Sequence, residues 1–408
     1  MSMRARRGLL SAFLLLSLGA CAAVPMHQPV PEEFVSTATI SGFLPDIRFW
    51  ADEAPKQQAQ IIARRIDEYR KDNDAYFREH GSYPPLNYLA ISGGAYDGAY
   101  GAGLLSGWSA TGRRPEFALV TGVSTGALIA PFAFAGPKYD ATLRELFTKS
   151  DSAAIFETDV WRLLEGVAGG LALTDNKPLA KKISEHVTQE LIEEIAAQHR
   201  RGRRLFIGTT HIEAQRGMIW DIGAIAASGN PQSLELIQRI MLASSSIPGL
   251  FQPVFFEVEA QGRRYSEIHV DGGVTSQVFA YPIRLSREVI DVFERYRLER
   301  RLYIIRNSKV SPEYQPIEPG VFSISGRSAE TLIKYQGIGD LYRLYAVTQR
   351  DNVDYYLATI PPTFNNKSRE LFDPAYMSAL FDVGYAQGRA QDMWMRKPPG
   401  IEYLRAKP

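Results

Sequence analysis

One serine lies in a glycine-flanked turn that suits it to act as a nucleophile. The sequence Gly122-Val123-Ser124-Thr125-Gly126 follows the apolar run 117–120 and precedes the apolar helical stretch 127–130. In this context the turn lifts the serine hydroxyl above the edge of a sheet, and the helix start offers free N–H groups to developing negative charge. The same five residues also occur by chance, so an ordinary strand-to-helix turn is the alternative.

A second glycine-rich loop could supply hydrogen-bond donors for an oxyanion, which serine chemistry also requires. Residues 92–98 have the sequence Ser-Gly-Gly-Ala-Tyr-Asp-Gly, between the apolar run 88–91 and a helical pattern that extends to Trp108. Consecutive N–H groups of such a loop can converge on one point. The spacing excludes both glycine-rich nucleotide fingerprints, which leaves a plain tight turn as the other interpretation.

The identity of the base is the open question. Asp271-Gly272-Gly273 directly follows the apolar run 268–270, so its carboxylate is expected at a strand end. A carboxyl with a pKa of about 4 is a poor base, but burial would raise that pKa. A strand-ending Asp-Gly is also a common turn. A histidine triad, Ser124–Asp221–His269, has the chain order of the α/β-hydrolases and is the alternative.

Strand-like and helical segments alternate along the chain. Apolar runs typical of strands occupy 88–91, 117–120, 204–210, 217–221, 254–258, 268–270 and 302–305. Helical patterns cover 56–77, 178–199, 234–243 and 284–299. This alternation predicts an α/β fold in three layers, a central and mostly parallel sheet flanked by helices, with the site at the carboxyl edge of the strands.

The first twenty residues have the pattern of a secretory signal peptide. Arg4, Arg6 and Arg7 precede the apolar segment 9–18, which is too short to span a bilayer. The segment ends in Leu-Gly-Ala-Cys, similar to a bacterial lipobox, and Cys21 is the only cysteine of the chain. We therefore expect lipidation and membrane anchoring at Cys21 and a place in the bacterial cell envelope, with the outer membrane facing the periplasm favoured.

The remainder divides into three expected parts. Residues 21–85 form a proline-punctuated tether and a lead-in helix, 86–390 a catalytic domain, and 391–408 a C-terminal tail. The formal net charge of +1 over 408 residues argues against a nucleic-acid partner.

In order and spacing, the three glycine motifs resemble those of the patatin-like phospholipases. The resemblance covers about 86–388 and includes the stretches 175–179, 243–251 and 382–385. It implies a Ser–Asp dyad with Ser124 as nucleophile and Asp271 as base, acyl-enzyme chemistry on lipid esters, and no metal or other cofactor. The N–H groups of Gly93, Gly94 and Ala95 would form the oxyanion hole. The supporting motif glycines are Gly98, Gly122, Gly126, Gly272 and Gly273.

One position departs from the family pattern. Asp97 stands where the family commonly has Arg or Lys, and facing the pocket it would repel an anionic head group. The expected function is that of a lipid acyl hydrolase of the phospholipase A, lysophospholipase or esterase type, with a membrane lipid or lipid ester as substrate. The alternative is a catalytically silent patatin-like lipoprotein that binds lipid or scaffolds the envelope.

Overall fold

The computed structural model describes residues 27–53, 58–149, 172, 174–280, 287–296, 298–368 and 370–401. These residues belong to two compact units. The smaller unit contains the described part of the chain up to Ser41 together with Phe256–Glu267. The larger unit contains the rest. Cys21, the segment predicted to be a signal peptide and most of 150–173 lie outside the described residues.

The strands are, in chain order, β1 (Thr39–Ile40), β2 (Arg48–Trp50), β3 (Leu86–Ile91), β4 (Leu119–Val123), β5 (Arg204–His211), β6 (Arg216–Asp221), β7 (Val254–Ala260), β8 (Arg263–Asp271), β9 (Arg300–Arg306) and β10 (Asp354–Thr359). In the larger unit, β5, β4, β3, β9 and β10 are parallel neighbours in that order. β6 and the end of β8 pair with β5 in the antiparallel sense, and β2 pairs with β6. In the smaller unit, β1 is antiparallel to β7.

The helices are α1 (Gln58–Asp72), α2 (Asp74–His80), α3 (Gly98–Ala110), α4 (Thr125–Ala135), α5 (Asp140–Thr148), α6 (Lys177–His186), α7 (Gln189–Arg200), α8 (Ile222–Ala227), α9 (Ser233–Ser244), α10 (Arg287–Tyr296), α11 (Val321–Arg350) and α12 (Pro374–Arg389). α3 is almost entirely buried. It packs so tightly against α12 that a Cβ on Gly103 would lie 2.0 Å from the Phe381 carbonyl oxygen. This backbone approach fixes the helix that follows the first glycine loop.

The predicted α/β class with a mostly parallel sheet is confirmed. Two details differ from expectation. The predicted helix 178–199 is two helices, because the chain bends at Val187 and the Thr188 hydroxyl accepts the Leu191 N–H to start α7. The other difference is in the number of elements: the predicted helix 56–77 is also two helices, α1 and α2, and the pattern analysis did not predict β1, β2, α5, α8, α11, β10 and α12. No helix within the described ranges combines the length and the apolar character that crossing a bilayer requires.

Candidate active site

Ser124 occupies a strained turn between β4 and α4. Its backbone has φ 54° and ψ −126°, outside the regions that L-residues prefer, which typically costs about 1–3 kcal/mol. Two serines of the α9 end hold it there: the Ser124 N–H donates to Ser244 Oγ at 3.0 Å, and the Ser245 hydroxyl donates to the Ser124 carbonyl at 3.3 Å. A Cβ on Gly126 would lie 2.2 Å from the Ile91 carbonyl oxygen, so this motif position requires glycine.

Strand β5 brings Ser124 and Asp271 together. Its first half pairs with β4, ending with Val123 opposite Gly208. At the next residue β5 takes a new partner, because Thr209 pairs with Asp271 of the antiparallel β8. The carboxyl ends of β4 and β8 therefore run towards each other along one edge of β5 and meet there. Residues 124 and 271, far apart in the chain, become neighbours.

Asp271 has the environment of a carboxyl that can carry a proton near neutral pH. Burial raises its pKa from the ordinary value of 3.8 to about 7, while hydrogen bonding from the Ser124 hydroxyl and the Gly273 N–H opposes that rise. Oδ1 accepts the Gly273 N–H at 2.7 Å. Within the described residues, Oδ2 is buried and makes no hydrogen bond of ordinary geometry. The Ser124 hydroxyl is thus close enough to lower the Asp271 pKa, while Oδ2 keeps room to accept a proton.

The alternative histidine triad is not assembled by this arrangement. The Asp221 carboxylate accepts the Ala224 N–H at 2.8 Å at the start of α8, and it lies 3.6 Å from His199 and 3.8 Å from Arg204. His269 Nδ1 is instead 2.9 Å from Thr209 Oγ1. The acid of that triad is thus engaged with other groups.

One of the three N–H groups expected to form the oxyanion hole, that of Gly93, is not available in the first glycine loop. The Gly93 N–H donates to the Gln277 carbonyl at 3.0 Å, so it is occupied and unavailable to an oxyanion. The N–H groups of Gly94 and Ala95 have no acceptor among the described residues. A Cβ on Gly94 would lie 2.1 Å from the Asn307 carbonyl oxygen, and Ala95 has φ 48°. The loop thus holds two adjacent free donors, one of them on a non-glycine residue in the left-handed region.

Asp97 does not face the pocket. Its carboxylate accepts the Tyr376 hydroxyl of α12 at 2.8 Å. Burial raises the Asp97 pKa to about 7, and Lys309 and Arg306 act in the opposite direction. The proposed repulsion of an anionic head group by Asp97 therefore loses its structural basis.

An apolar pocket opens beside Ser124. The empty space of the pocket, together with open solvent at its mouth, is about 760 Å³. Ala95, Ser124, Thr125 and Ser245 lie on its wall, and Lys182 and His186 are the ionisable groups that line it. The apolar lining consists of Leu128, Phe132, Leu146, Phe147, Leu179, Ile183, Val187, Met241, Ile247, Phe251, Phe372 and Met377. Phe251 thus lies in this wall, whereas the nearby Phe255 and Phe256 do not.

A hydrogen-bond network that the sequence patterns did not predict joins the two motif loops. Asp340, buried on α11, accepts the Gln277 N–H at 2.7 Å, the Val278 N–H at 3.3 Å and the Ser276 hydroxyl at 3.1 Å through Oδ2. Gln277 in turn accepts the Gly93 N–H and donates its side-chain amide to the Gly273 carbonyl at 2.8 Å. The Asp-Gly-Gly turn and the oxyanion loop are thus tied to one helix.

Comparison with known proteins agrees with these motifs. Residues 89–283 match the family described as patatin-like phospholipase, a span from β3 to beyond Asp271. No curated protein sequence matches the chain. Among solved structures, the crystal structure of VipD from Legionella pneumophila aligns at 12% identity and a TM-score of 0.36, covering 75% of this chain and 66% of the VipD chain. The family match thus includes the Ser124 turn and the Asp271 turn and spans just under half of the chain.

Proposed function

We propose that the chain is a lipid acyl hydrolase that cleaves carboxylic esters through Ser124 and Asp271. The observation that carries the proposal is the meeting of the two residues at the point where β5 changes partner, with the pKa of the buried carboxyl raised to about 7. A carboxyl with that pKa is half ionised at neutral pH and can both accept and return a proton. The family match supports lipid esters as the substrate class.

Acylation would follow from these groups. Ionised Asp271 accepts the Ser124 hydroxyl proton as Oγ bonds to the ester carbonyl carbon. The carbonyl oxygen becomes an alkoxide, which the Gly94 and Ala95 N–H groups and the start of α4 stabilise. The bond from carbon to the alcohol oxygen then breaks, and Asp271 returns its proton to that leaving oxygen.

Deacylation repeats these steps with water. Asp271 takes a proton from a water whose oxygen bonds to the acyl carbon, the bond to Ser124 Oγ breaks, and Oγ regains the proton as the free acid leaves. The pocket next to Ser124 would hold the acyl chain, because aliphatic and aromatic side chains form most of its wall.

Two substitutions test the dyad. Ser124→Ala and Asp271→Asn should each abolish turnover of a soluble chromogenic ester. The matched controls Ser184→Ala and Asp382→Asn, at exposed positions, should leave it unchanged. Melting curves must show that all four variants fold. Loss of turnover in His269→Ala together with retention in Asp271→Asn would instead establish the histidine mechanism. Lipid binding by the parent without any turnover would establish the silent alternative.

We further propose that Cys21 is acylated and anchors the protein in the bacterial cell envelope, at the outer membrane facing the periplasm. The support is the signal-like segment before the only cysteine. Incorporation of radiolabelled fatty acid into the parent, but not into Cys21→Ser, tests the anchor. Fractionation of inner and outer membranes tests its destination.

A further inference from the structure

The N-terminal half of α11 has its apolar face towards solvent. Val321, Phe322, Ile324, Leu332, Ile333 and Tyr335 are all exposed, Phe322 at 86% and Leu332 at 72%. Positions 321, 324, 328, 332 and 335 follow the three- and four-residue spacing of one helix face. Ser328 on that face and the adjacent Ser325 and Ala329 carry no charge.

The two basic side chains of the same half-helix are partly covered, Arg327 at 30% exposure and Lys334 at 17%. Lys334 pairs with Glu313 at 2.9 Å, and Arg327 pairs with Glu330 at 2.8 Å and reaches Gln315 at 3.3 Å. A soluble helix normally buries its apolar stripe and exposes its charges. Over the segment 321–336, about 24 Å of helix at 1.5 Å per residue, the apolar side chains are exposed together with that of Glu330, which is 63% exposed.

The helix that carries this surface is hydrogen-bonded to the loop that follows Asp271. The Gln336 side-chain amide donates to the carbonyl of Val274, three residues after Asp271, at 3.2 Å. One turn further along α11, Asp340 holds the backbone of Gln277. The projecting half of α11 is therefore rigidly connected to the loops that carry the proposed chemistry.

We propose that the apolar face of α11 between Val321 and Tyr335 docks on a neutral lipid surface and presents the candidate site to it. An amphipathic helix with exposed aromatic and aliphatic side chains inserts at the boundary between head groups and acyl chains. Residues 309–336 contain three basic and three acidic side chains, so the surface has no net charge that would select anionic lipid. The inference deepens the proposed function, and the docking itself requires no turnover.

A local fluorescent probe tests the docking on the full chain. Cys21→Ser removes the only cysteine, which allows a polarity-sensitive dye to be attached at Leu332→Cys or, as a matched control, at Leu44→Cys. The two leucines are almost equally exposed, at 72% and 70%. With phosphatidylcholine vesicles, the dye at 332 should shift to the blue in low and in high salt, while the dye at 44 should not.

Three outcomes of the probe experiment would overturn the proposal. The first is no shift at 332. The second is a shift that requires anionic lipid and disappears in high salt. The third is a shift without vesicles that grows with protein concentration, because it would assign the face to a second copy of the chain.

Kinetics separate the docking surface from the dyad. Leu332→Ser should lower turnover of an ester presented in vesicles at least about tenfold, because a buried leucine contributes enough to change binding by that factor, and should leave turnover of a soluble short-chain ester unchanged. Leu44→Ser should change neither rate. Equal losses on both substrates would contradict the docking role. The dye at 332 could also shift to the blue while the parent protein hydrolyses neither ester. That result would support the docking surface and exclude the proposed hydrolase.

Discussion

Asp271→Asn is expected to abolish catalysis and at the same time to stabilise the folded protein. Asp271 is only 5% exposed, and its pKa is about 7 in the folded state against 3.8 as the ordinary value. Above pH 7 the folded protein must hold a buried carboxylate that the unfolded chain would hydrate. Asparagine keeps an oxygen for the Gly273 N–H and is never ionised.

The magnitude follows from proton linkage. A difference of about three pKa units corresponds to roughly 4 kcal/mol at pH 8, because each unit is worth about 1.4 kcal/mol. The penalty is the stability lost when the buried carboxyl is ionised. Because folding raises the pKa of this acid, the penalty is absent well below pH 3.8, grows between the two pKa values and is complete above about pH 7. Between pH 5 and pH 8 the penalty grows by roughly 2–3 kcal/mol.

Urea unfolding of the parent and of Asp271→Asn at both pH values measures this difference. Other titrating groups cancel, because the two proteins are compared at each pH. We expect the stability advantage of Asp271→Asn to be larger at pH 8 than at pH 5 by the stated amount. Asp382→Asn, at an exposed carboxylate, should show no such growth. An advantage that is equal at the two pH values, or reversed, would refute the claim that Asp271 is ionised at a desolvated position.

Three further predictions concern the same site. The kcat/KM for a soluble ester should be level above pH 7 and fall about tenfold per pH unit below it, because protonation of Asp271 at a pKa of about 7 removes the base; a fall that begins only near pH 4 would exclude this base. Asp340→Asn should lower kcat about tenfold with little change in KM and destabilise the fold by about 1–3 kcal/mol, since one fewer acceptor oxygen holds Gln277 and Ser276; a variant with parental kcat would disprove the support. Ala95→Gly should raise the free energy of unfolding by about 0.5–1 kcal/mol, measured by urea unfolding, because glycine tolerates φ 48°; a loss of stability would contradict the strain.

Local sequence patterns predicted the elements that carry the motifs. The apolar runs before Ser124 and Asp271 correspond to β4 and β8. The two glycines of the turn at 122–126 lie so close to neighbouring backbone atoms that a Cβ would not fit at either position. These features depend on neighbours in the chain, so the residue order contains them. The α/β class followed from the alternation of such segments.

The parts that were missed depend on contacts between distant segments. The N–H of Gly93 belongs to a glycine loop like its neighbours, and only the position of the Gln277 carbonyl shows that it is occupied. Asp340 lies in α11 without any local motif, because its role is to accept hydrogen bonds from a loop more than sixty residues away in the chain. The direction of the Asp97 side chain likewise depends on Tyr376 of α12.

The change of partner along β5 explains why a carboxylate could act on Ser124 without an intervening imidazole. If β4 and β8, which run in opposite directions, were neighbouring strands over their full length, their carboxyl ends would lie at opposite ends of the pair, separated by about 3.4 Å for each residue of strand. Here they meet end to end, because Val123 pairs with Gly208 and Asp271 with Thr209. A shift of β8 by one residue against β5 would place the Asp271 side chain on the opposite face of the sheet. The register at Thr209, more than the motif around either residue, therefore decides whether hydroxyl and carboxylate can exchange a proton.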